Sequence, residues 1–305
     1  MLKFIVSRFL QGVTILFVIV TLAFFMARLT PGGPFTGEKT LPPEVLKQLN
    51  AHYGYDDPLF TQYTNYLGRI LHGDLGPSTK YLNRSVNELI AESAPVTFQL
   101  GLFSLLIALI IGIPAGAIAA VKRNTKLDYV PMSASMIGIC MPTFVMGPVL
   151  ALVFGLWLGW FNVSGVDSFA DLVLPAMTLG LYYAGYVARL TRGGMLEILS
   201  QDFIRTARAK GVPERTIILR HALKGGLLPV ISFMGPALAG LISGSFVVET
   251  VFNIPGLGRF FVAATFNRDF AMIGGTTLLF GVLIITFNLA ADIVLALLNP
   301  KLRHR

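Results

Sequence analysis

The chain has 305 residues, 54% hydrophobic and only 13% charged, with a formal net charge of +8. A charged share so far below the roughly 25% of soluble globular proteins excludes an ordinary soluble domain. The positive balance would suit nucleic acid in isolation, but membrane proteins gather Lys and Arg in their cytoplasmic loops, so the placement of the charges decides. Cys140 is the single cysteine, which excludes an intrachain disulfide and a cysteine-rich metal site. Its apolar surroundings read as a packing position.

A helix that crosses a bilayer needs about 20 mainly apolar residues, because the hydrocarbon core is about 30 Å thick. Six segments meet that length: Phe9 to Ala27, Pro95 to Val121, Val130 to Trp157, Leu172 to Ala188, Leu227 to Phe252 and Ala271 to Leu298. The first is too long for the apolar region of a signal peptide and lacks a small-x-small cleavage site, so it reads as a retained span. If alternate segments are cytoplasmic, that side holds sixteen of the 24 Lys and Arg, and eight of these lie between spans four and five. Both termini are then expected in the cytoplasm, and the positive balance reflects topology, with no nucleic acid as partner.

The segment from Arg28 to Ala94 is too long for a connector and too mixed to span. Pro42-Pro43-Glu44 before Val45, Leu46 and Leu49 predicts a short helix, and Tyr63, Tyr66, Leu67 and Ile70 predict another. An external cap follows, whose tyrosines (Tyr53, Tyr55, Tyr63, Tyr66, Tyr81) either pack within it, sit at the lipid interface, or meet a docking protein. The spans carry Pro114, Pro142, Pro148, Pro175, Pro229 and Pro236, with Gly112/Gly116 and Gly240/Gly244 at four-residue spacing. Such residues open kinks and allow close helix contact.

The stretch Arg189 to Lys224 mixes eight basic residues with Glu197, Asp202 and Glu214. Leu196, Leu199 and Phe203 recur at helical spacing, which predicts an amphipathic helix lying against the bundle. Asp202, Phe203, Ile204, Arg205, Thr206, Ala207, Arg208, Ala209, Lys210 and Gly211 read as a short helix opened by an acid and stopped by glycine, with Pro213 starting the next. Physics alone leaves two readings open: a helix that docks into a partner's cleft, or a solvated basic loop serving topology.

Two acids lie within spans, where ionisable groups are functional candidates. Glu249 lies 22 residues beyond Leu227, about 33 Å along an ideal helix, which puts it near the external interface. It either lines an outer gate or is a hydrated helix-end carboxylate paired with Arg259 or Arg268. Asp292 lies near the cytoplasmic end, on a path or paired with the C-tail bases. Asn253, Pro255, Gly256 and Gly258 belong to a Pro/Gly-rich turn expected to form a re-entrant scoop, a second gate candidate. Thr97, Gln99, Thr178, Ser243, Ser245 and Asn288 are polar groups within or beside spans, with no lumen face readable.

Three other activities fit poorly. Gly32 to Thr40 approaches a phosphate loop, but Glu38 displaces Lys39 by one position and the stretch follows a membrane helix where a strand is required. An intramembrane hydrolase would need a base in the spans, yet His52, His72, His221 and His304 all lie outside them. An ion-coupled transporter would carry a central acid, which is missing here.

Thr206-Ala207-Arg208-Ala209-Lys210-Gly211, followed by Leu228-Pro229, resembles the EAA loop of ABC-importer permeases, with the motif's glycine at Gly211. The first two letters of the general motif fall on Arg205 and Thr206, so only Ala207 matches there, a departure typical of the peptide-permease branch. Ala27 to Pro34, Thr191-Arg192-Gly193 and Val248 to Gly258 agree with it, and Pro34 to Pro43 favours the oligopeptide over the dipeptide branch. The whole chain is thus similar to the B-type permease subunit of oligopeptide ABC importers. The resemblance implies an all-α membrane protein with the type I importer fold in a bacterial inner membrane. It also implies a C-type permease partner, two ATPase subunits that hold ATP and Mg, a periplasmic or lipidated peptide-binding protein, and no cofactor or catalysis on this chain. The segments become tail and first span (1–28), external cap (29–94), five-span core (95–298) with coupling loop 189–226, and C-tail (299–305). Peptide length preference, and special cargo such as glutathione, cell-wall peptide or nickel, are not readable.

Overall fold

The computed structural model describes residues 2–30, 33–35, 42–81 and 83–298. Among these every regular element is helical, and the only strand-like feature is the bridge between Pro77 and Ser85. The C-tail and the Thr36 to Leu41 stretch lie outside the described residues. Contacts divide the chain into two units: Val6–Thr97 with Pro255–Leu283, and Met1–Ile5 with Phe98–Ile254 and Ile284–Arg305.

The first unit is built on α1 (Leu2–Leu29), which covers the first expected span. Both expected loop helices are present, α2 (Pro43–Tyr53) and α3 (Leu59–Leu71). Pro43 stands in the first turn of α2, where its missing N–H is no loss. Gly54 ends α2 at φ +67°, with the Tyr55 N–H on the Asn50 carbonyl. The cap tyrosines pack inward: Tyr66 stacks on Phe24 at 5.3 Å, the Tyr63 hydroxyl meets Thr21 at 2.8 Å, and Tyr81 sits edge-on to Phe260. Arg28 lies over the Tyr55 ring at 4.1 Å and near Phe24 and Phe270. These rings thus pack within the cap, and Tyr81 is at the same time 37% exposed. Ser85 and Glu88 cap each other's backbone at the start of α4 (Val86–Val121), reciprocal bonds that satisfy two donors of the first turn. Val86 and Leu89 join Ala264 of α13 (Leu257–Asn267) and Met272 of α14 (Phe270–Leu298) in a buried core.

The second unit is organised around α7 (Val173–Leu199), against which pack α5 (Lys126–Cys140), α6 (Thr143–Leu150), α10 (Leu223–Gly226) and α11 (Leu228–Ser243). Small residues set these crossings. A Cβ at Gly112 of α4 would stand 2.7 Å from the Ala184 carbonyl oxygen, one at Gly116 would overlap the Ala188 carbonyl, and one at Gly185 would stand 2.6 Å from the Ser135 carbonyl. The glycine spacing in α4 therefore does what close helix contact requires.

Four helices among the described residues are long and apolar enough to cross a membrane, and a fifth span arises if α5 and α6 count as one. The expected six are not all matched. The fourth segment, Leu172 to Ala188, forms the first two-thirds of α7, and α7 does not pass that test. Its residues are mostly covered by other helices, so a protein-facing helix carries Thr178, Tyr182, Tyr183 and Tyr186 where a lipid-facing one would be apolar. The third expected span is bent by 108°. Pro142 forces Met141 into an extended conformation, φ −80° and ψ 118°, and the helix cannot continue through it. The α6 helix then runs into a π-helical turn, Ala151–Trp157, after Pro148. The fifth expected span is matched by the run Leu228–Val251, within which α11 gives way at Gly244 and Ser245 to α12 (Phe246–Val251). Cys140 ends α5 and is exposed, so the packing role expected from its neighbours is not found.

Candidate functional site: a short exposed helix and a buried carboxylate

The α8 helix spans Asp202–Ala209 and stands apart from α7 at a break over Ser200 and Gln201. That break cuts the stripe predicted through Phe203. Leu196 and Leu199 pack with Met195, Ala120 and Ala222, whereas Phe203 is 52% exposed. The residue that anchors α8 is Ile204, which is 0% exposed. Around it Asp202, Arg205, Thr206, Arg208, Ala209, Lys210 and Gly211 are exposed, and Ala207 is half-buried. The helix is thus held by one apolar side chain and presents the rest of its surface.

Its end is defined by hydrogen bonds. Gly211 adopts φ +76°, its N–H bonds the Arg208 carbonyl at 3.0 Å, and the Val212 N–H reaches back to Ala207 at 3.2 Å. Only a residue at ease in the left-handed region closes a helix in this way, which is why glycine stands here. Arg208 then forks onto Glu214 through Nε at 3.1 Å and Nη2 at 2.7 Å, tying α8 to α9 (Glu214–Thr216) across the turn. The Arg208 guanidinium holds the Glu214 carboxyl below the usual carboxylate range. Pro213 caps α9 one position before the helix.

This segment sits on a rigid base. Gly194 and Gly226 meet backbone to backbone, and a Cβ on Gly226 would stand 2.6 Å from Met195 Cγ. Two turns before α8, Arg192 forks onto Asp128 of α5 through Nε at 2.6 Å and Nη2 at 2.8 Å, and the Asn124 N–H completes the shell of that buried carboxylate at 2.9 Å. Sequence reading missed Asp128. An acid four residues after Asn124 and beside a loop of bases was the signal available.

The gate candidates differ in exposure. Glu249 is 0% exposed, so it is not hydrated, and it accepts the Ser245 hydroxyl at 2.6 Å. Asn253 takes the left-handed conformation at φ +53°, and the Ile254 N–H bonds the Glu249 carbonyl at 2.7 Å, closing α12 in the manner of Gly211. Asn253 and Pro255 are exposed, whereas Gly256 and Gly258 are buried. Asp292 is half-buried in α14. Thr97, Thr178 and Ser245 are buried, and each makes a structural bond, Thr97 by accepting the Leu257 N–H at 2.8 Å.

Residues 112–304 match the family model described as binding-protein-dependent transport system inner membrane component, and residues 1–100 match the N-terminal model of the same systems. The chain belongs to that family. This permease is 49% identical over 306 residues, all of both chains, to a protein of Escherichia coli K12 named oligopeptide transport system permease protein OppB. It is 45% identical over the full length to the OppB protein of Haemophilus influenzae. Against a Bacillus subtilis protein named dipeptide transport system permease protein DppB the identity is 40%, over 99% of this chain and 98% of that one. Among solved structures it resembles the MetNI methionine ABC transporter in inward-facing conformations, with TM-score 0.61 over 69% of this chain and 96% of that chain at 19% identity. An amino acid ABC transporter gives TM-score 0.54 at 15% identity over 68% and 93%. These structural likenesses establish the fold of an importer permease.

Proposed function

We propose that the chain is one of two membrane permeases of an ATP-driven importer that carries oligopeptides into the cytoplasm. The observation that carries this is full-length identity of 45–49% to relatives named oligopeptide permeases, with a lower value for the dipeptide one. The partners are a C-type permease, two ATPase subunits that hold ATP and Mg, and a periplasmic or lipidated peptide-binding protein. In this reading the chain lies in a bacterial inner membrane with both termini cytoplasmic, and residues 29–94 form the external cap.

The α8 segment, Asp202 to Gly211, is the docking element for one ATPase. A helix exposed on all sides except Ile204 can enter a cleft, and its rigid base passes the cleft's movement to α4, α5 and α7. Glu249 with the Asn253 to Gly258 turn is the outer gate in this reading. Uptake of labelled peptide by cells tests the docking element. A Cβ at Gly211 meets nothing within 4 Å in this chain, so a substituent there disturbs the backbone or a partner. Gly211→Asn tolerates the left-handed conformation, whereas Gly211→Asp adds charge as well. Both should insert normally; Asp should abolish uptake and Asn should reduce it less. Normal uptake by Gly211→Asp would remove α8 from the coupling role.

A further inference from the structure

Along α7 most positions are covered, but Tyr182, Tyr183 and Tyr186 are half-buried and Arg189 is exposed, with Ala184, Gly185, Val187 and Ala188 buried between them. Tyr182, Tyr186 and Arg189 follow at helical spacing, so the open positions form one stripe. The rings make a wall shared with α11. Tyr182 meets Tyr186 at 5.3 Å, Tyr186 stacks on Phe233 at 5.7 Å, Tyr183 reaches Phe233 at 6.3 Å, and the Tyr182 and Tyr186 hydroxyls stand 3.3 Å apart. The Tyr183 hydroxyl lies over Gly240, where any Cβ would collide with it. Among the described residues the Arg189 guanidinium meets Met136 Sδ at 3.2 Å and the edge of the Tyr186 ring's field at 5.9 Å, and no carboxylate.

Depth makes this stripe unusual. With α7 taken as the fourth span and Val173 as its outer end, about 1.5 Å per residue puts Tyr182 about 14 Å and Tyr186 about 20 Å into a core of about 30 Å. Open phenols and a guanidinium at that depth are expensive against lipid and belong on a wet or protein-lined surface. We propose that Tyr182, Tyr183, Tyr186 and Phe233 line the peptide's route through the membrane, with Arg189 at its cytoplasmic end receiving the peptide's carboxylate. Ring faces accept side chains of any type, phenol hydroxyls bond peptide N–H and C=O groups, and a guanidinium binds a carboxylate with paired donors. Such a surface grips the parts that all peptides share. The inference rests on the importer reading above and adds the substrate-facing residues to it.

The test uses the assembled importer in membranes, with Cys140→Ser removing the one native thiol. Tyr186→Cys should react with a charged, membrane-impermeant thiosulfonate, and saturating peptide should slow that reaction several-fold. Leu106→Cys, on an exposed apolar position of α4, should not react. In parallel, Arg189→Gln should lower uptake of free-carboxylate peptide several-fold, and Arg189→Lys should retain most of it. A Tyr186→Cys thiol that never reacts, or that reacts at one rate with and without peptide, overturns the assignment, as does full uptake by Arg189→Gln. Failure of the parent importer to take up any peptide would instead remove the underlying reading, and the thiol's reactivity would still be measured.

Discussion

Arg192 and Asp128 join two helices 64 positions apart in sequence through a two-bond fork, with the carboxylate buried. Removing either partner leaves the other charge unpaired at a largely covered site, the arrangement least tolerated by a folded protein. Asp128→Asn and Arg192→Gln should each lower the melting temperature of the purified permease, and the double variant should melt above the sum of the two losses; simple additivity would show that the pair is not coupled. At the same scale, burial pushes the Tyr55 and Tyr66 phenols up to about 12 from an ordinary value of 10.0, against the opposing pull of Arg28. A raised folded value means that their contribution is complete below pH 10 and is lost as pH rises through about 12. Tyrosinate absorbance followed with near-UV dichroism should show the cap loosening in that window; two phenols titrating near pH 10 in the folded state would contradict the packing described.

Among the elements, α4 and α7 depend on glycine contact. Alanine in place of Gly116 gains up to about 1 kcal/mol in helix propensity, but its Cβ would overlap the Ala188 backbone oxygen, and overpacking of this kind costs about 1–3 kcal/mol or more. Gly116→Ala should therefore destabilise the permease in a thermal melt, whereas Gly193→Ala, with nothing within 4 Å, should stabilise it or leave it unchanged. Hydropathy and punctuation made much of this scale legible: α1, α2, α3, α14, the stop at Gly211 and the glycine spacing of α4 all follow from local rules. The fourth expected span falls on α7, which does not pass as a span, because a helix wrapped by protein loses the apolar signature that reports lipid. Phe203 was assigned to a packed stripe because periodicity continues across Ser200 and Gln201, where the helix itself does not. Ile204, the anchor, was hidden by the same extrapolation. Asp128 lay outside reach because its significance depends on Arg192, a pairing that only the fold creates.

At the scale of the molecule, the proposed docking helix α8 and the proposed tyrosine-lined route belong to a chain of the binding-protein-dependent permease family. The α8 helix has one fully buried side chain, Ile204, and a largely open surface, and α7 before it is held to α5 by an ion pair and to α10 by touching glycines. In the proposed reading, these contacts would carry a displacement of α8 to α7 as a block. Energy must then come from partner ATPases. The most direct measurement is uptake of labelled peptide into vesicles that contain this chain with a second permease, two ATPases and the binding protein, repeated with each partner omitted. The account predicts ATP-dependent uptake that disappears when the ATPases are left out or when Gly211→Asp is introduced. Peptide uptake by this chain alone, driven by an ion gradient without ATP, would contradict it.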